Sequence, residues 1–241
     1  MTGTISVPVG VARMLTVTAM TTTSRTDVTM MYLIHDAIRR DLDRLEDGLH
    51  QLASMHAGPR RRALVAALER TWADLDHYLH HHHVTEDEHL WPLLRRACPL
   101  TSELLDDLQG EHAAVETLVR DCRSAMARAL TSYPTFEDAT RAADVMGALR
   151  DELRAHLSHE EQAALPYVVD HLSAQWPAFE AQQRKDSGLS GLTRLLPWLL
   201  DDADVVRADW MRDQLSAAVF AVVSVVFLRR RQRTLGPLRE V

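Results

Sequence analysis

Four stretches of this chain carry apolar residues at alternating steps of three and four, and a histidine interrupts each of these stripes. Such steps return to one face of an α-helix at every turn. The first stretch, about 28–55, lines up His35, Ile38, Leu42, Leu45, Leu49 and Leu52. The second, about 60–98, lines up Leu64, Leu68, Trp72, Leu75, Leu79, His82, Glu86, Leu90 and Leu93. The third starts at Thr101 or Ser102, an N-cap followed by acidic residues, and lines up Leu105, Leu108, His112, Val115, Val119, Cys122 and Met126. The fourth, about 135–172, lines up Val145 or Met146, Leu149, Leu153, His156, Glu160 and Ala163. Gly58-Pro59, Pro99 and Tyr133-Pro134 separate them. Long amphipathic helices joined by short breaks predict an all-α chain: an antiparallel up-down four-helix bundle with a partly helical C-terminal tail. Only the histidine positions recur between stretches, which argues against a solenoid. Nine glycines, nine prolines and 5% aromatics are too few for a sandwich of short strands.

The polar residues on these stripes demand an account. In three stretches a glutamate follows the histidine by four: His82 and Glu86, His112 and Glu116, His156 and Glu160. Residues four apart stack on one helix face, so each pair aims an imidazole and a carboxylate at one volume. Glu116 is the least well placed, lying beside Val115 rather than on the stripe. A buried polar group without a partner costs about 1–3 kcal/mol. Seven of them would erase a typical stability of about 5–15 kcal/mol. Hydrogen bonding among themselves offsets part of this; metal coordination offsets more. Up-down alternation brings all four histidines to one end of the bundle. Imidazole and carboxylate without thiolate suit iron, manganese or zinc. Seven donors exceed one tetrahedral zinc, so two cations are expected, with Glu86 and Glu160 as bridges. If the metal is iron, the chemistry expected is that of oxygen or peroxide.

At these residues the chain resembles the hemerythrin-like, or HHE cation-binding, family. The matching stretches are Leu33-Ile34-His35-Asp36, HHHHVTEDEHLWPLL at 80–94, Glu111-His112, and HLSHEEQAALP at 156–166. The resemblance covers about 28–172 and implies a four-helix bundle with a non-haem, oxo- or hydroxo-bridged pair of irons per chain. Carried over position by position, the ligands are His35, His82, Glu86, His112, Glu116, His156 and Glu160. The resemblance also implies a small ligand: O2, hydrogen peroxide or nitric oxide. Oxygen carriers of the family look like His-x-x-x-His in the third helix, where this chain has Glu116. The extra negative charge disfavours reversible O2 carriage and favours sensing or turnover, with catalase-like peroxide decomposition as the enzymatic expectation. The alternatives are an iron- or oxygen-responsive sensor without catalysis, and a metal-free structural bundle.

The remaining histidines are given plainer roles. Neighbouring helical residues are rotated by about 100°, and the stripe selects His82 from the run His80–His83; His80, His81 and His83 are read as solvated or supporting. His77 with His81 is a weak surface chelate at most. His159 supports the site by hydrogen bonding, and His50, His56, His89 and His171 are exposed. Trp91-Pro92 and Leu165-Pro166 bend or end a helix beyond the site.

Three segments are expected: a flexible leader at 1–27, the bundle at 28–172, and a linker with a tail helix at 173–241. Within the tail, Leu215–Leu228 is uncharged and precedes Arg229-Arg230-Arg231. It is short of the roughly 20 residues a span needs. Docking on the bundle or on a second copy is favoured, giving a homo-oligomer in the latter case, and interfacial membrane binding through 215–228 is the lesser alternative. A net charge of −7 excludes a general attraction to nucleic acid. Cys98 and Cys122 lack both a disulfide framework and metal-ligand spacing. They read as buried thiols of a cytoplasmic protein.

Overall fold

The computed structural model describes residues 26–131 and 135–239, apart from the side chains at 189, 190 and 192. The expected leader, up to residue 25, and the break at Tyr133-Pro134 lie outside the described residues. The described residues form helices and no strand. The long ones are α1 (Thr29–Ser54), α2 (Pro59–Thr85), α4 (Ser102–Ala129) and α5 (Phe136–His159).

Local sequence accounts for the ends. Pro59 supplies α2 with a first-turn residue that needs no hydrogen-bonded N–H. Thr135 and Asp138 form a reciprocal capping box at α5, with the Asp138 N–H donating to Thr135 Oγ1 at 3.0 Å. At α4 the expected side-chain cap is absent. Thr101 Oγ1 instead donates to the Cys98 carbonyl at 2.8 Å, closing a short 3₁₀ turn, Pro99–Thr101.

The stripes bury as their spacing requires: Ile38, Leu42, Leu45, Leu49 and Leu52 of α1 are fully enclosed. Each such side chain contributes about 1.5–3 kcal/mol by leaving water. Paired side chains fix helix directions. From the start of α1 onward, His35 meets Glu161, Asp43 meets Arg154 at 2.7 Å, and Glu46 meets Arg150. Asp76 of α2 meets Arg123 of α4, and Asp87, just beyond the end of α2, meets His112, so these two helices also run in opposite directions.

The second and fourth stretches are not continuous α-helices. α2 gives way to a π turn, Glu86–Leu90, before α3 (Trp91–Ala97). α5 gives way to a π turn, Glu160–Ala164, before α6 (Leu165–His171). Each π turn begins on a glutamate of a His-x-x-x-Glu pair, and Pro92 or Pro166 stands six residues later. Proline has no N–H to give and its ring crowds the carbonyl four residues back; a wider turn just before it removes both conflicts. A third such turn, Gly191–Leu195, precedes Leu196-Pro197.

The apolar interior divides at the level of the histidines. On one side lies the main core, with Leu75, Leu79, Val115, Val119, Leu153 and Leu157. On the other, Leu90, Trp91, Leu105, Leu108, Leu165 and Trp176 form a second cluster that closes the end of the bundle.

The segment read as a linker from its polar composition is helical over Trp176–Ser190 (α7). Beyond it lie α8 (Leu196–Leu200), α9 (Val205–Gln214), α10 (Ala217–Val222) and α11 (Arg229–Thr234). Trp198, Leu199, Met211, Val223, Leu235 and Leu238 enter the main core. A buried charge network fastens this region to α1 and α2. Trp198 Nε1 donates to Asp41 at 2.7 Å, and Arg231 reaches Asp41, Asp74 and Asp201, while Arg44 donates to Asp201 at 2.8 Å. Gly48 permits the close approach: a Cβ there would lie 2.5 Å from Leu238 Cδ2. The uncharged stretch 215–228 is split between α10 and a π turn, Val223–Leu228. Among the described residues no helix is long and apolar enough to cross a membrane.

Candidate metal centre

Between the two apolar clusters lies one polar layer. His35 from α1, His82 from α2, and Glu86 and Glu160 from the two π turns bring one donor atom each within 4.8 Å of one another. His83, His112 and His156 form a second group by the same measure. Glu86 reaches toward both: Oε1 lies 3.3 Å from His82 Nδ1, and Oε2 lies 3.5 Å from His112 Nε2.

Six of the seven residues singled out by the sequence therefore converge: His35, His82, Glu86, His112, His156 and Glu160. Glu116 does not. Val115 takes the inward position on α4, and Glu116 turns outward to accept from Arg123 at 3.0 Å with its side chain 47% exposed. His83 arrives in its stead. The stripe rule admits one inward residue per turn, but α2 is wedged between two partners. His82 faces His35 of α1, with ring centroids 5.0 Å apart, while His83 stacks on His112 of α4 at 4.1 Å. A rotation of about 100° between neighbours suits two partner helices on adjacent sides. The signal available in the sequence was the unbroken run of four histidines.

Three imidazoles are held from behind. Nδ1 of His35 bonds Glu161 at 2.8 Å, Nδ1 of His112 bonds Asp87 at 2.9 Å, and Nδ1 of His156 bonds Glu111 at 2.8 Å. A carboxylate only accepts, so Nδ1 carries the proton and Nε2 is turned inward. Glu111 also bonds His159 at 2.7 Å, and Arg39 donates to Glu161 at 2.8 Å. Glu161, Asp87 and Glu111 were not singled out in advance, because carboxylates one residue from a ligand position look like ordinary helix surface.

Burial governs the protonation of this layer. It pushes His82 and His83 well below the usual histidine range, helped by the neighbouring imidazoles. His156 is lowered too, burial outweighing Glu111. These rings are neutral near pH 7, the form that binds a cation. Burial also lowers His35, but Glu160 and Glu161 outweigh it and hold that ring at about 9. Burial and the adjacent Glu160 raise Glu86 well above the carboxylate range. Burial would raise Glu161 as well, yet His35 and Arg39 bring it down to about 2.

Nε2 of His35, His82, His83, His112 and His156, and all four carboxylate oxygens of Glu86 and Glu160, are buried without a hydrogen-bond partner. The close approach of His35 Nε2 to Glu160 Oε2, 3.2 Å, lacks hydrogen-bond geometry. Nine unsatisfied donor atoms in one enclosed layer, nitrogen and oxygen only, match the coordination needs of divalent or trivalent first-row cations.

The family model of the hemerythrin HHE cation binding domain matches residues 26–202. Among curated proteins and among solved structures, nothing matches the chain.

Proposed function

The chain belongs to the hemerythrin HHE cation-binding family, and from that premise we propose that it holds a pair of irons and binds O2, peroxide or nitric oxide there. The nine buried, unpartnered donor atoms carry this reading. His35 and His82 would hold one iron, and His83, His112 and His156 the other, with Glu86 and Glu160 spanning the pair. His83 thus takes the place assigned to Glu116. The helix pairings support an antiparallel up-down four-helix arrangement as the scaffold. Iron at this position supplies one-electron redox chemistry toward a small oxygen- or nitrogen-containing ligand.

The chain's own residues set the conditions. Glu161, Asp87 and Glu111 orient three rings and prevent them from turning. Leu90, Trp91, Leu165 and the main core exclude water on both sides of the layer, which strengthens every charge interaction inside. Burial and the adjacent Glu160 favour the protonated form of Glu86, and a cation engaging it would displace that proton.

Elemental analysis with an optical spectrum, on untagged protein, tests the reading. Two irons per chain are expected; no metal, or one tightly held zinc, overturns it. Loss of added hydrogen peroxide at a catalytic rate separates a peroxide-decomposing enzyme from a sensor.

A further inference from the structure

One flank of the polar layer is not covered by apolar residues. Between α2 and α4 lies a cavity of about 300 Å³ with His83 and His112 on its inner wall and Asp76, Glu116 and Arg123 toward solvent. His112 is only 5% exposed, and its Nε2, like that of His83, has no partner. Asp87, part-exposed like Asp76, also lines the cavity and is bonded to His112. At the mouth, Arg123 donates to Asp76 at 2.8 Å and to Glu116 at 3.0 Å, and all three side chains are part-exposed. Three carboxylates thus face one guanidinium along the passage. A cleft lined by net negative charge concentrates cations and speeds their arrival. His35 of α1, by contrast, is fully enclosed, against His82, Glu160 and Glu161.

We propose that this cavity is the entry route for the divalent cation, with Asp76 and Glu116 as its first oxygen ligands and Arg123 as the plug that competes for them. The inference rests on the proposed metal centre. The step is ligand exchange alone: the arriving ion gives up water for carboxylate oxygen, the Arg123 pairs open, and Asp87 offers a third carboxylate directly bonded to one of the imidazoles. It assigns a role to Glu116, a residue the His-x-x-x-Glu spacing marks but the cluster does not use.

The test measures cobalt(II) uptake by the full-length, metal-stripped chain in a stopped-flow absorbance experiment at low ionic strength. Asp76→Asn combined with Glu116→Gln is expected to slow loading about ten-fold and flatten its salt dependence, because the unpaired Arg123 then repels the ion. Arg123→Ala is expected to speed loading. Ala113→Trp, which fills the cavity without altering charge, is expected to slow it. All variants should reach the wild-type final amount. Wild-type rates in every variant, with full final loading, overturn the route and leave the metal centre standing. Failure of the wild-type chain to take up cobalt overturns the metal centre and the route with it.

Discussion

Replacing Glu86 by leucine should change stability in opposite directions with and without metal. Glu86 is 1% exposed, both its oxygens lack a hydrogen-bond partner, and burial with the adjacent Glu160 disfavours its ionised form. Removing an unsatisfied buried polar group relieves about 1–3 kcal/mol. In a chain of this size each kcal/mol moves the melting temperature by about 2–4 °C. In chelator, Glu86→Leu should therefore melt roughly 2–12 °C above the wild-type chain. With metal the order reverses. A ligand at about 1,000 times its Kd adds about 4.1 kcal/mol to the native state, more than the relief of about 1–3 kcal/mol, and the variant, lacking the carboxylate between the two donor groups, forgoes most of that. Thermal unfolding monitored by circular dichroism, in chelator and in anaerobic iron(II), reads both arms. A variant destabilised to the same extent in both conditions would refute the reasoning, since Glu86 would then be an ordinary packed residue.

Three further outcomes are expected. His83→Ala should lower bound metal from two ions per chain toward one, while Glu116→Ala leaves the amount unchanged; elemental analysis giving the reverse order would return Glu116 to the ligand set. Trp198→Ala should cost about 3–5 kcal/mol in urea unfolding, because the ring is fully buried, stacks on Tyr78 at 4.5 Å and donates to Asp41. A loss below about 1 kcal/mol would mean that the C-terminal region does not unfold with the bundle. Burial raises the pKa of Asp201, but Arg44 and Arg40 outweigh it and leave it below the ordinary 3.8. Its stabilising contribution is therefore complete above the unfolded value of about 4 and disappears as pH falls through the lower folded value. The stability gap between wild type and Asp201→Asn, measured by urea unfolding from pH 6 downward, should be constant to about pH 4 and then close; a gap that widens in acid would contradict this sign.

Much of the architecture was legible because helical amphipathicity is a local property. Leu42, Leu45, Leu49 and Leu52 announce their common face by spacing alone, and they are buried on it. The π turns were only half legible. Pro92 and Pro166 marked a disturbance beyond the site, whereas the wider turns start on Glu86 and Glu160 themselves. The C-terminal region was the least legible. Arg231 belongs to an arginine run typical of a solvated face, yet it is buried among Asp41, Asp74 and Asp201. Those carboxylates lie 30 to 190 residues away along the chain.

The sequence by itself determined that four helices would each carry a histidine into the interior, because a period of 3.6 residues fixes which side chains share a face of a single helix. Only the tertiary structure decided which neighbours completed the layer. The angle at which α1 and α4 flank α2 is a property of the packed assembly. That angle admits His83 beside His82, while the rotation of α4 that buries Val115 sends Glu116 to Arg123 at the rim.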